Sequence, residues 1–229
     1  MLTFDQVTLT QGTFHLAAHL TIPTGITAII GPSGGGKSTL LAAIAGFIAP
    51  TAGDILWNDK SLSKQPPGER PASMLFQDNN LFPHLTIEQN VSLGIRPDLK
   101  LSTAQKETVA KTLTQVGLTD LGSRKPNALS GGQQSRAALA RVLVSDRPLV
   151  LLDEPFAALG PALKDEMLEL VTSTLAAAGK SIVMVTHDPD DARRIADRVL
   201  LVAEGTAHPP VDGQQIFDDP PAALKAYLG

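Results

Sequence analysis

An unbroken apolar run, Ile26 to Ile30, leads directly into Gly31-Pro32-Ser33-Gly34-Gly35-Gly36-Lys37-Ser38-Thr39, and this junction constrains the fold more than any other segment. A run without polar alternation predicts a strand buried on both faces, as in a parallel sheet. After the glycines, Leu40, Leu41, Ile44 and Phe47 recur at helical spacing and predict a helix with those residues on its inner face. Strand, glycine-rich turn and helix in that order form a phosphate cradle. The glycines let backbone N–H groups approach the oxygens, and the helix N-terminus adds a favourable dipole. Gly31, Gly36, Lys37 and Ser38 hold the spacing that such a loop requires. Lys37 is expected to reach the β- and γ-phosphates of a nucleotide, and the Ser38 hydroxyl to ligate Mg²⁺.

The rest of the chain supports an α/β layer. Leu2, Phe4, Val7 and Leu9, then Phe14, Leu16, Ala18 and Leu20, approximate period-two patterns on either side of Gln11-Gly12, which predicts two strands at the start. Ser73–Phe76, Leu149–Asp153, Ser181–Thr186 and Arg198–Ala203 read as further buried strands. Strands alternating with helical segments predict a parallel sheet. Between Gln77 and Leu129 no such run occurs, while Thr86–Leu93 and Thr103–Val116 read as helices, the second capped by Ser102 or Thr103. The predicted architecture is one α/β domain with an antiparallel β edge, built from residues 1–77 and 146–229, and an inserted helical subdomain, 78–145. Gln65 to Pro71 is turn chemistry and predicts a surface loop.

Composition removes several classes of function. A net charge of −4 and a pI near 5.7 leave no basic footprint for a nucleic-acid partner. With no cysteine, neither disulfides nor thiolate metal sites are possible, which fits a reducing compartment. The first residues, Met1-Leu2-Thr3-Phe4-Asp5, lack a basic stretch followed by an apolar one, so no signal peptide is expected. The longest apolar runs are strand-sized, whereas a membrane helix needs about 20 residues.

The strand Leu149-Val150-Leu151-Leu152 ends in Asp153-Glu154. A carboxylate at that strand end can hold Mg²⁺ beside a phosphate loop, which is the role expected of Asp153. Glu154 follows it and is placed to polarise an attacking water, help worth about 10²–10⁴-fold in rate. Together these motifs specify a nucleotide hydrolase or a kinase.

Leu129-Ser130-Gly131-Gly132-Gln133, followed by Ala137, Leu139, Ala140 and Leu143 at helical spacing, separates these alternatives. A serine hydroxyl and two bare glycines at a helix start make a second anion site, which a kinase has no use for. Here the sequence resembles the ABC ATPase family, whose signature loop it matches letter for letter. The resemblance spans essentially the whole chain. It implies that Leu129–Gln133 contact the ATP held by the opposite subunit, with Ser130 and Gly132 at its γ-phosphate. It also implies that Gln77 is the loop glutamine that senses Mg²⁺ and water, and that His187, after Ile182–Thr186, is the switch histidine. Family membership would make the working unit a homodimer enclosing two ATPs, docked on an integral membrane permease at the cytoplasmic face of the cell membrane.

The stretches Arg70–Phe82 and Pro97–Leu101 resemble the thiamine-importer ATPases of bacteria more narrowly, with a periplasmic solute-binding protein as an indirect partner. A molybdate-type importer is the nearest alternative, since Gly25–Ile29 also suits that group. A soluble ABC ATPase of DNA repair or chromosome structure is a further one, although such proteins carry a longer insert.

Three positions depart from the family pattern. Gly160 stands after Ala157-Ala158-Leu159 where an aspartate linking the two ATP sites is usual, which implies weaker cross-talk between sites. Gln134-Ser135-Arg136 stands for the commoner Arg-Gln-Arg, with a small expected effect on ATP affinity. No aromatic ring is clearly placed to stack on adenine. Gln11-Gly12 lies roughly where Tyr-Gly is common, and Phe14, the nearest ring, continues an alternating strand and is expected in the core.

Overall fold

The computed structural model describes residues 1–157, 159–222, 224 and 225. The strands are β1 (Leu2–Gln11), β2 (Phe14–Ile22), β3 (Ile26–Ile30), β4 (Ala52–Trp57), β5 (Lys60–Ser61), β6 (Ala72–Leu75), β7 (Leu149–Asp153), β8 (Ser181–Val185), β9 (Arg198–Ala203), β10 (Thr206–Ala207) and β11 (Val211–Asp212). The α-helices are α1 (Lys37–Ala45), α2 (Ile87–Ser92), α3 (Thr103–Gln115), α4 (Gly131–Leu143), α5 (Pro161–Leu170), α6 (Pro189–Ile195) and α7 (Gln215–Asp218). Helix α5 runs on into a π-helical turn, Val171–Ala176.

Strands β9, β3, β8, β7 and β6 pair in that order, all parallel. Strands β5, β4, β1 and β2 form an antiparallel wing joined to them through β10. Both faces of the parallel sheet are covered, as its apolar runs require. Leu149 and Leu151 face the cluster that takes in Leu40, Leu41 and Ile44 of α1. Val150 and Leu152 face the opposite cluster, with Leu139 and Val142 of α4 and Met167 and Leu168 of α5. Each of these side chains, fully buried, contributes about 1.5–3 kcal/mol before entropy is set against it.

Helices α2, α3 and α4 all lie between β6 and β7, and share a cluster of their own built on Ile87, Val91, Val109, Leu113 and Ala140. Each begins with a capping box, on Thr86, Ser102 and Ser130 respectively. In each, the hydroxyl accepts from the backbone of a glutamine three residues on, whose side chain accepts from the capping residue's own N–H. Helix α4 also packs through Leu139 and Val142 on the sheet, so it belongs to both cores.

Two expectations fail for reasons visible here. Phe47 is not on the inner face of α1, because the helix stops at Ala45. Gly46, at φ 91°, turns the chain and donates back to the Ala42 and Ala43 carbonyls. Phe47 is left 56% exposed, its ring 5.7 Å from that of Phe76. The segment Gln65–Pro71 is not wholly a surface loop either. Arg70 is buried, with Nη1 donating to Ala43 O at 2.6 Å and Ile44 O at 2.8 Å, and Nε to Gln65 O at 3.0 Å. A cation thereby closes the C-terminus of the helix whose N-terminus carries the glycine-rich loop. Among the described residues no helix is long and apolar enough to cross a membrane.

Candidate functional site

The loop between β3 and α1 requires glycine at specific points. At Gly31, φ 143°, a Cβ would lie 2.0 Å from the Val202 carbonyl oxygen, so the neighbouring strand excludes any side chain. At Gly36, φ 103°, it would meet the tip of the Phe14 ring at 2.6 Å. Gly36 caps α1, and Lys37 is its first residue. The Lys37 side chain folds back over the loop, donating to Gly31 O at 2.8 Å and Pro32 O at 3.0 Å. Burial lowers its affinity for a proton, and the charges of Glu154 and Asp153 oppose that.

A cavity of about 370 Å³ opens above this loop. Its walls include Ser33, Gly34, Gly36, Lys37, Ser38 and Thr39 from the loop and α1, Gln11 and Phe14 from the first hairpin, and Glu154. Phe14 serves two surfaces, since it also packs on the central core as its strand pattern predicts.

Asp153 and Glu154 reach this place from the end of β7. The Ser38 hydroxyl donates to Asp153 Oδ1 at 2.9 Å. Burial raises the Asp153 carboxyl above the usual carboxylate range; Glu154 pushes the same way, and the Ser38 bond and Lys37 pull against it. Among the described residues no three acidic or histidine side chains gather into a metal cluster. One hydroxyl and one carboxylate beside a phosphate loop suit Mg²⁺, which takes few protein oxygens and completes its shell with water and phosphate.

The backbone of Glu154 is left-handed, at φ 43°, and its N–H donates to Val185 O at 3.1 Å. That bond joins the end of β7 to the end of β8, where Asp153 is paired with Val185. His187 follows two residues on, and its Nδ1 lies 3.2 Å from Glu154 Oε2. Six of the residues singled out by sequence are thus brought together: Gly36, Lys37 and Ser38 on one side, Asp153 and Glu154 on the other, and His187 behind Glu154.

The remaining expectations lie elsewhere. Ser130 caps α4, its hydroxyl accepting from Gln133 N at 3.3 Å, while Gln133 Oε1 accepts from Ser130 N at 3.0 Å. Leu129 is buried, Gly131 faces open space, and a Cβ on Gly132 would meet Leu163 at 2.4 Å. Leu129–Gln133 do not line the phosphate-loop cavity, and neither does Gln77, exposed in the turn after β6. Gln134 holds the signature turn, donating to Pro126 O at 3.1 Å and Leu129 O at 3.2 Å. Arg136 pairs with Glu166 of α5 at 2.8 Å and faces no phosphate loop. Gly160 caps α5 without a side-chain bond, and Ala158, two residues earlier, lies outside the described residues.

Sequence reasoning missed Arg141. From α4 it donates to Asn79 O at 3.0 Å and Asn80 O at 2.8 Å, two consecutive left-handed residues just past Gln77. It therefore ties the Gln77 turn to the signature helix. No local pattern marks a residue whose partners are backbone carbonyls about sixty positions away.

Known proteins share this fold and much of this sequence. Residues 17–157 match the family described as ABC transporter. The chain is 57% identical to the thiamine import ATP-binding protein ThiQ of Cereibacter sphaeroides, covering 100% of both chains. It is 49% identical to the protein of that name from Yersinia pseudotuberculosis, covering 100% of this chain and 97% of the relative. A dimeric bacterial ABC transporter cassette superposes with a TM-score of 0.81 at 30% identity, over 93% of this chain and 98% of that one. A dimeric ATP-binding cassette bound to ADP and phosphate after hydrolysis does so with the same TM-score at 29% identity.

Proposed function

The chain belongs to the ABC transporter family, and from that premise we propose that it is the ATP-hydrolysing subunit of a bacterial importer for thiamine or its phosphate esters. The observation that carries the hydrolytic part is the 3.2 Å approach of His187 to Glu154, beside a phosphate loop whose serine meets Asp153. The solute rests on full-length identity of 57% to a thiamine import protein.

The backbone N–H groups of Gly31–Thr39 and the Lys37 ammonium bind the phosphates of ATP. Ser38 and Asp153 would hold Mg²⁺, with Gln77 reaching it from the turn after β6 when the site closes, and the ion would supply positive charge against the phosphates. Glu154 orients the attacking water and takes its proton; a ring N–H of His187 donates to the γ-phosphate and keeps the water beside Glu154. Leu129–Gln133 complete the site of a second copy of this chain. The Ser130 hydroxyl accepts from Gln133 and still has its own hydrogen to give to a phosphate oxygen.

ATP then acts as a ligand that favours the closed homodimer, and hydrolysis releases it. The α/β segments 1–77 and 146–229 and the helical segment 78–145 are the parts that move. They drive an integral membrane permease docked near Gln77 at the cytoplasmic face, and a periplasmic solute-binding protein delivers the solute on the other side.

Uptake of labelled thiamine into cells with and without this gene tests the assignment, and loss of uptake is expected. Unchanged thiamine uptake together with lost molybdate uptake would reassign the solute and leave the ATPase standing.

A further inference from the structure

His187 occupies the middle of a short turn, and both of its neighbours are tied down by side chains that play no part in the chemistry above. On one side, the Thr186 hydroxyl donates to Asp191 Oδ2 at 2.8 Å and accepts from Asp188 N at 3.1 Å. On the other, Asp188 divides its carboxylate. Oδ1 caps α6 by accepting from Asp190 N at 3.0 Å, and Oδ2 takes a hydrogen bond from the Lys164 ammonium. The same ammonium lies 2.7 Å from Asp191 Oδ1. Lys164 comes from α5, so one cation binds both carboxylates of the turn and joins it to a second helix. Arg194 and Asp165 form another ion pair between α5 and α6.

Lys164 and Asp191 are better shielded than the histidine they support. Side-chain exposure is 19% at Lys164 and 12% at Asp191, against 54% at His187. Burial alone would lower the proton affinity of Lys164, yet the bonds to Asp188 and Asp191 outweigh it and leave the ammonium above the usual lysine value. Between the cluster and the site lies a cavity of about 60 Å³, lined by Glu154, His187, Lys164, Thr186 and Asp191 among others.

We propose that Lys164 and Asp191 are positioning residues for hydrolysis, clamping the backbone on both sides of His187 so that its ring holds its place against Glu154. Neither touches nucleotide. Both act through the geometry of the turn, where a displacement of about 1 Å can cost up to 10²-fold in rate. The inference rests on the assignment of His187 and Glu154 to hydrolysis.

The test compares ATP turnover and ATP affinity of the 229-residue chain with those of Lys164→Met, Lys164→Arg, Asp191→Asn, His187→Ala and the Lys164→Met/His187→Ala double variant. Lys164→Met is expected to lower kcat about tenfold with KM for ATP within about twofold, and Lys164→Arg to restore most of it. In the His187→Ala background Lys164→Met should cost nothing more, because a shared pathway is non-additive. Should Lys164→Met lose its cooperative melting transition, Asp191→Asn is held to the same criteria. Wild-type turnover in Lys164→Met, or a full further loss in the double variant, overturns the clamp and leaves the site assignment intact. Wild-type turnover in His187→Ala overturns the assignment, and the clamp with it.

Discussion

Glu154 and His187 meet because Asp153 and Val185 are partners in adjacent parallel strands. From that pair each chain runs on by one or two residues, and the carboxylate and the ring converge to 3.2 Å. Sheet register, set by two apolar runs, thus decides the distance between the proposed base and the ring proposed to steady it.

Removing the negative charge while keeping the shape isolates that base. Glu154→Gln is expected to lower single-turnover ATP cleavage about 10²–10⁴-fold. ATP binding should persist, and the variant should accumulate as an ATP-bound dimer on size exclusion. Normal cleavage by this variant would assign the base elsewhere.

Gly160 has φ −67° and ψ 156°, the geometry of a helix-capping residue, and an added Cβ meets nothing within 4 Å. Gly160→Asp should supply the missing cap and a favourable charge at the start of α5, for a gain of about 0.5 kcal/mol in urea unfolding. If aspartate here links two ATP sites, hydrolysis should also become more tightly coupled to transport. A variant unchanged in stability, turnover and coupling would make the position neutral.

The Phe14 ring packs on the central core and against Gly36, in the space that a Cβ there would take, at the inner wall of the cavity. Its cross-strand partner, Gln11, lines the same cavity. Gln11→Tyr should place a ring at that edge and tighten ATP binding by roughly 5–150-fold, the equivalent of 1–3 kcal/mol of stacking. Fluorescent-nucleotide titration reads this directly, and an affinity within about twofold of wild type would mean that the base lies elsewhere.

Arg70 closes α1 through carbonyls at 2.6 and 2.8 Å. Among the described residues, Arg70→Met removes the only side-chain donor to Ile44 O and leaves Ala43 O with the longer 3.3 Å bond from Gly46 N alone, and should cost about 1.5–3 kcal/mol in urea unfolding. Arg70→Lys should recover part of it, since an ammonium lacks the planar fork. A cost below about 0.5 kcal/mol would mean that water replaces the guanidinium.

Strands β3, β7 and β9 were legible to the residue, and β8 to within one, because a run buried on both faces has little polar content. The cap at Ser102 was legible as one of two candidates, since a hydroxyl just before a helix is local chemistry, while Thr86, read as the first helical residue, is itself a cap. The wing strand β4 escaped: Gly53 and Asp54 interrupt its alternation, and its pairing with β1 is long-range. Phe47 misled because helical spacing continues past a glycine that ends the helix. At the site, the loop, Asp153, Glu154 and His187 could be read from order along the chain. Lys164 and Asp191 could not, because the bond that gives them meaning joins two helices. The one local signal is the three-residue spacing from Asp188, the cap of α6, to Asp191 within it.

The left-handed backbone of Glu154 carries a consequence for evolution in the laboratory. A non-glycine residue at φ 43° holds a conformation that costs about 1–2 kcal/mol. Glycine there would relax the chain and delete the proposed base in one step. Selection for heat resistance and selection for transport therefore pull this codon in opposite directions. A library screened on stability alone would be drawn at position 154 toward proteins that fold better and import nothing.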